Sequence, residues 1–254
     1  MNRRDMLKLT GAAVAGSTIF GIDAIASEKS SDATASTQGN KPKKALIIGA
    51  HPDDPETGCG GTMVMLRKAG WDVVSVYMTR GEAGIKGKTH EESSAIRVKE
   101  ATEACKIMDV RPLFMTQIDG SSEVTKERYT EMKEIIAAEK PDLVFTHWPM
   151  DSHADHRTCF TLVFDAWRRL GYNFELYFFE VMSGIQSQLF NPTDWVDITP
   201  AAEVKRKATF CHQSQAPADW YDSSHGMMEK FRGMEFRCGR AEAFIHMNRN
   251  GKIF

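Results

Sequence analysis

From Ala45 onward the chain alternates short apolar runs with longer stretches in which apolar residues recur every three or four positions. The short runs, ALIIGA, WDVVSVYMT, PLFMT, DLVFTH and ELYFFEV, are rich in branched and aromatic residues, as strands buried on both faces require. The stretches between them read as helices over TMVMLRKAG and over 91–108, 126–139 and 154–170. Strand and helix in regular alternation predict an α/β domain: a Rossmann-like, mostly parallel sheet with helices on both faces, folded as a single domain. Toward the C-terminus the pattern is less regular. DWVDIT reads as a strand, and helices are expected near 200–211 and 217–232.

The residues before Ala45 stand outside this pattern. Segment 1–26 has a basic start with Arg3-Arg4, a short weakly apolar run and Ala24-Ile25-Ala26, which fits a small-residue cleavage site. It resembles a secretory leader of the twin-arginine kind. Its apolar run falls short of the roughly 20 residues a membrane-spanning helix needs, and no later span is evident, so the mature form is expected to have no stable membrane span. Segment 27–44, rich in Ser, Thr and Lys, reads as a disordered linker. The folded domain is assigned to 45–254, and the protein is expected in the periplasm or outside the cell.

Composition narrows the function. With 32 basic and 34 acidic residues evenly mixed and a net charge of -2, the chain has no electrostatic footprint for nucleic acid. The five cysteines, Cys59, Cys105, Cys159, Cys211 and Cys238, form no pair at zinc-finger spacing and read as reduced. Nothing in the composition decides whether the chain forms a homo-oligomer.

Chemistry collects where the strands end, the place at which open parallel sheets bind ligands. The first strand runs into His51, Asp53 and Asp54, and the second into Arg80 and Glu82. Asp119 follows the third, and His147, Asp151, His153, Asp155 and His156 follow the fourth. A dinucleotide fingerprint is excluded: Gly58-Cys59-Gly60-Gly61 is followed by Met63 where the third glycine belongs, and the two aspartates before it oppose a pyrophosphate. A divalent metal fits better, since imidazole and carboxylate suit an ion such as zinc and a catalytic site leaves one position open. His51 and Asp54 on a tight turn can point the same way, and a histidine from the fourth strand's loop can complete the set. Asp53 is then free to accept a proton.

With these residues assembled, the chain resembles the PIG-L / LmbE-like deacetylases, zinc enzymes acting on N-acetylglucosaminyl conjugates and related amides. AHPDDPETGCGG and SHADH carry the resemblance, and TRGEAG, IRVKEATEACKIMDV, HQSQ and RGMEFRCGRAEAF are similar to further blocks of that family. Ala154 stands where many members have proline. The resemblance implies that His51, Asp54 and His156 bind Zn2+ or another divalent metal. It further implies that Asp53 is the general base, that His153 faces the oxyanion or protonates the leaving amine, and that Asp155 orients a histidine of its own motif. Arg80 and Glu82 are expected at the pocket mouth as substrate contacts or as support of the site, and His147 either joins them or merely ends its strand. Arg97 and Glu100, one helical turn apart, are read as a structural pair, His212 as structural, and His90, His225 and His246 as surface or core residues.

The expected activity is removal of an acetyl group from a small N-acetylated amino sugar or glycoconjugate. The alternatives are a broader amidase acting on a sugar conjugate and a non-catalytic metal- or glycan-binding protein. For the leader, Edman sequencing of the exported protein is expected to begin near Ser27, and changing Arg3 and Arg4 to lysine is expected to leave the precursor in the cytoplasm. An unaltered exported yield would remove the twin-arginine assignment.

Overall fold

The computed structural model describes residues 42–247; the leader assigned to 1–26 and the linker as far as residue 41 lie outside the described residues. Seven strands among the described residues make one sheet: β1 (Lys44–Gly49), β2 (Asp72–Thr79), β3 (Arg111–Gln117), β4 (Leu143–His147), β5 (Glu175–Phe179), β6 (Asp194–Asp197) and β7 (Ala241–His246). Their order is β3-β2-β1-β4-β5-β7-β6. β1 to β5 are mutually parallel, while β7 runs antiparallel between β5 and β6. The expected Rossmann-like, mostly parallel α/β fold is therefore what the chain adopts.

The alternation of side chains along β1 feeds two cores. Leu46 and Ile48 join Met132 and Ile136 of α3 (Lys126–Glu139) and Leu162 and Val163 of α4 (Ala154–Arg169). Ala45 and Ile47 face the other way, with Met63 of α1 (Asp54–Lys68) and Ala101 and Ala104 of α2 (His90–Met108). A strand covered on both faces has no position for a polar residue, which is why β1 reads as a continuous apolar run. The remaining helices, α5 (Ala202–Thr209), α6 (Pro217–Trp220) and α7 (His225–Phe236), lie in the less regular C-terminal part. The helix expected over 217–232 is thus two helices. No helix among the described residues is long and apolar enough to cross a membrane.

The first helix departs from expectation. The helix expected over TMVMLRKAG starts earlier: α1 begins at Asp54 and takes in Gly58, Gly60 and Gly61. Packing explains the glycines. A Cβ on Gly60 would lie 2.9 Å from Lys205 Cγ, and one on Gly61 would lie 2.5 Å from Ile198 Cγ2. Gly58 meets the ring of Phe179 in the same way. The close approach brings buried Glu242 of β7 to α1, where its carboxylate accepts from the backbone N–H groups of Gly61 and Thr62 at 2.9 and 2.7 Å. Lys205, fully buried, donates to the same carboxylate at 2.7 Å.

The sign of one substitution follows. Glycine to alanine in an exposed helix normally stabilises by about 1 kcal/mol, but Gly61→Ala drives a methyl into Ile198. It is expected to destabilise the domain by about 1–3 kcal/mol, read as a lower urea midpoint with an unchanged slope.

Candidate active site

The site sits at the C-terminal ends of β1 and β4, the neighbouring strands from which the chain departs to opposite sides of the sheet. Their loops are tied at the base by His147, whose Nε2 accepts from Ala50 N–H at 2.9 Å. The β1 loop carries His51 to Asp54 and the β4 loop carries Asp151 to His156. Helix α1 begins immediately with Asp54 and Glu56 in its first turn, where the helix dipole favours negative charge.

Asp53 is the N-cap of α1, yet its side chain makes no capping bond and its backbone lies at φ 131°, ψ -25°. That is a costly conformation for a residue with a Cβ, and it turns the carboxylate away from the helix and into the cavity. Arg97 of α2 holds it there. Its Nη2 donates to Asp53 Oδ2 at 2.9 Å and to the Pro52 carbonyl. The guanidinium is buried in space left by glycines of the TRGEAG loop: a Cβ on Gly81 would lie 2.5 Å from Arg97 Cδ. The expected Arg97–Glu100 pair is thus not the one formed. Glu100 instead accepts from Ser214 N and Oγ at 2.7 and 2.6 Å.

Beside Asp53, three donor groups point at one another. His51 Nδ1 lies 3.2 Å from Asp54 Oδ2 and 3.2 Å from His156 Nε2, and His156 Nε2 lies 3.3 Å from Asp54 Oδ1. The outer nitrogen of each ring faces carboxylates. His51 Nε2 is 3.1 Å from Asp155 Oδ2 and 3.2 Å from Asp119 Oδ1, and His156 Nδ1 is 2.9 Å from Asp151 Oδ2. Protons drawn to those outer nitrogens leave the inner lone pairs facing each other and the Asp54 carboxylate, an arrangement that a cation relieves. Ligands at about 2.1 Å from a tetrahedral ion are roughly 3.4 Å apart, so the spacing suits a divalent metal. Overlapping donor sets include His147 and His153. His147 Nε2 is already used by Ala50, and His153 Nδ1 accepts from Asp155 N–H at 3.2 Å.

The charges agree with that arrangement. Burial opposes ionisation of Asp54, but His156, His147 and His51 around it hold its carboxyl well below the usual range. Burial and the neighbouring Asp54 lift Asp53 upward against the pull of Arg97. Burial lowers His156, but Asp54 and Asp151 raise it to about 9, so the place between its ring and Asp54 draws positive charge, which a proton supplies when no metal does. Burial and the adjacent His156 lower His147 to about 4. His153 is lowered by burial and by His51 and His156, so its neutral ring, with Nδ1 accepting, carries its proton on Nε2.

The other expected residues take different places. Asp155 supports His51, not a histidine of its own motif; Asp151 serves His156. His147 is wholly buried beneath Asp54 and out of reach of a substrate. Arg80 is exposed and lines a shallow surface depression with Ser94 and Val98. Successive strand residues point to opposite sides, and the preceding Thr79 side chain is bonded inward to Ala50 O at 2.9 Å. Glu82 is a clamp: its Oε2 accepts from the backbone N–H groups of Arg80 and Asp119, both at 3.1 Å, and so joins two rim loops. Asp119, noted at its strand end but given no role, lines the cavity. His212 lies buried with its Nε2 3.6 Å from Glu56 Oε1, and His225 reaches the cavity wall. The cavity holds about 440 Å³ and is mostly polar around the histidines and aspartates.

Residues 46–167 match the family model for PIG-L, described as GlcNAc-PI de-N-acetylase. The chain is similar to the diacetylchitobiose deacetylase of Thermococcus kodakarensis, at 30% identity over 200 residues, 72% of this chain and 74% of that protein. It is 29% identical over 181 residues to a probable N-acetyl-alpha-D-glucosaminyl L-malate deacetylase of Bacillus subtilis, covering 67% of this chain and 82% of the other. Among solved structures it resembles the N,N'-diacetylchitobiose deacetylase from Pyrococcus horikoshii complexed with its inhibitor MPG. The TM-score is 0.71 at 27% identity, covering 82% of this chain and 84% of that one.

The carboxylate behind His156 gives a test of the donor geometry. Asp151→Asn is expected to weaken zinc binding about 10–100-fold, measured by competition with a chromogenic chelator. An unchanged affinity would mean that His156 needs no partner to face the ion.

Proposed function

The chain belongs to the PIG-L family of de-N-acetylases, and from that premise we propose that it hydrolyses the acetamide of an N-acetylated amino sugar or its conjugate. One divalent metal, zinc, is held by His51, Asp54 and His156, and Asp53 acts as general base. The observation that carries this reading is the division of labour between adjacent aspartates. Asp54 lies among imidazole nitrogens at 3.2–3.3 Å, while Asp53 turns into the cavity on the arm of Arg97. A protein that only bound a metal or a glycan would have no use for the second carboxylate.

When bound, the ion would supply Lewis acidity toward the amide carbonyl and acidify water. The protein does the rest. Asp53 takes a proton from the water as its oxygen joins the carbonyl carbon, with Arg97 keeping the carboxylate on line. His153, with its proton on Nε2, donates a hydrogen bond to the developing oxyanion, and Asp53 passes the proton it took from the water to the departing nitrogen. The C–N bond breaks, releasing acetate and the free amine. Asp155 and Asp119 hold His51, and Asp151 holds His156, so neither ring turns during the reaction. The setting we propose is periplasmic or extracellular, after removal of the 1–26 leader.

The roles separate in a two-channel assay of metal content and amine release. Asp53→Asn is expected to keep near-full zinc and lose about 10²–10⁴ in turnover, and His153→Ala to keep zinc with impaired turnover. Asp54→Asn and His156→Ala are expected to lose the metal. Chelation should abolish activity and zinc should restore it. Loss of zinc from Asp53→Asn, or an active Asp53→Asn, would overturn the assignment; cleavage of longer acyl amides with no acetate release from any N-acetylhexosamine would favour the broader amidase.

A further inference from the structure

We infer that Trp220 is the platform on which the pyranose ring of the substrate stacks, and that it makes the enzyme select cyclic N-acetyl sugars over open-chain amides. This rests on the deacetylase reading and adds to it a residue that recognises the sugar.

The cavity wall is unequal. Around the candidate metal ligands it is carboxylate and imidazole, with Asp53, Asp54 and Asp119 among the lining groups; Trp220 is the one indole that reaches it among the described residues. A buried tryptophan usually keeps its N–H for a partner, and here that partner is local: Nε1 donates to Gln215 O at 2.8 Å. What remains for a ligand is the half-buried ring, a surface without donor or acceptor. A pyranose matches such a cavity because its C–H face is apolar while its hydroxyl-bearing edge is polar. The face can lie on the indole with the edge toward Asp119.

The platform is also fixed in place, as a selective surface must be. Trp220 ends the four-residue α6, which begins at Pro217 after Ala216 in the left-handed region at φ 48°. Proline restricts the chain at that corner. Gln215 Nε2 donates to Gly84 O at 3.1 Å, and Ser214 is bonded twice to Glu100 of α2. The His225 ring, which also lines the cavity, packs beside the indole with its centroid 4.5 Å away. The segment is therefore fastened to the same helix that carries Arg97, so ring and general base keep a set separation. An open-chain amide has no flat C–H face to offer and gains nothing from this wall.

The test compares methyl N-acetyl-β-D-glucosaminide with N-acetyl-D-glucosaminitol, which has a similar amide and hydroxyls but no ring, using zinc-loaded enzyme. Trp220→Leu is expected to reduce the ratio of the two kcat/KM values about tenfold, chiefly through KM of the cyclic substrate, and Trp220→Phe to restore most of it. An equal loss on both substrates, or an unchanged ratio, would overturn the platform. A second measurement needs no turnover: titrating the methyl glycoside into zinc-loaded Asp53→Asn should change tryptophan emission, and the added Trp220→Phe should remove the change. Emission that responds equally without Trp220, or that fails to respond in either protein, counts against the platform. If the wild-type enzyme hydrolyses no N-acetyl sugar, the deacetylase reading fails, and the emission titration still judges the platform.

Discussion

Two neighbouring carboxylates at the buried mouth of a helix are the constraint around which the rest of the molecule is arranged. Asp53 and Asp54 repel each other and lose hydration where they sit, so each needs its own positive counterpart from a different direction. Arg97 approaches Asp53 from α2, and His51, His147 and His156 surround Asp54 from the β1 and β4 loops. The unusual backbone of Asp53 separates the two directions, since a carboxylate in the ordinary capping position would lie over the end of α1. The strain is located where its release would cost the arrangement most.

The same constraint accounts for residues that take no part in the proposed reaction. Gly81 and Gly84 exist as gaps for the Arg97 side chain, and Glu82 between them clamps the loop to Asp119. His147 closes β1 to β4 from below. These are the parts of the TRGEAG and DLVFTH segments that look functional in sequence because they are polar at strand ends, and they serve the reacting groups at one remove.

How much could be read in the sequence follows from the range of the forces involved. The strands β1 to β6 and the helices α2, α3 and α4 were legible because burial on a sheet imposes a local pattern, whereas β7 was not read as a strand. HPDD and SHADH were legible as a meeting place because strand ends of one parallel sheet converge. The extent of α1 was not, since Gly58, Gly60 and Gly61 report on Phe179, Lys205 and Ile198, each distant along the chain. For the same reason Arg97 looked like half of an intrahelical pair with Glu100, and Arg80 like a pocket residue. Spacing along a helix or past a strand does not reveal which way a long side chain leaves it. Asp119 and Asp151 carried a signal, a carboxylate at a strand end, but only the ring nitrogens opposite them give it meaning.

The placement of Trp220 has a consequence for how such proteins diversify. The groups proposed to react all come from residues 51–156, in the parallel half of the sheet, while Val181, Gln186, Gln215, Trp220 and His225 close the cavity from the segments that accompany the antiparallel edge. On the proposed reading, bond breaking and substrate recognition occupy separate stretches of one gene. Substitutions in the later stretch would then alter which molecule is admitted while leaving His51, Asp53, Asp54, His153 and His156 in place.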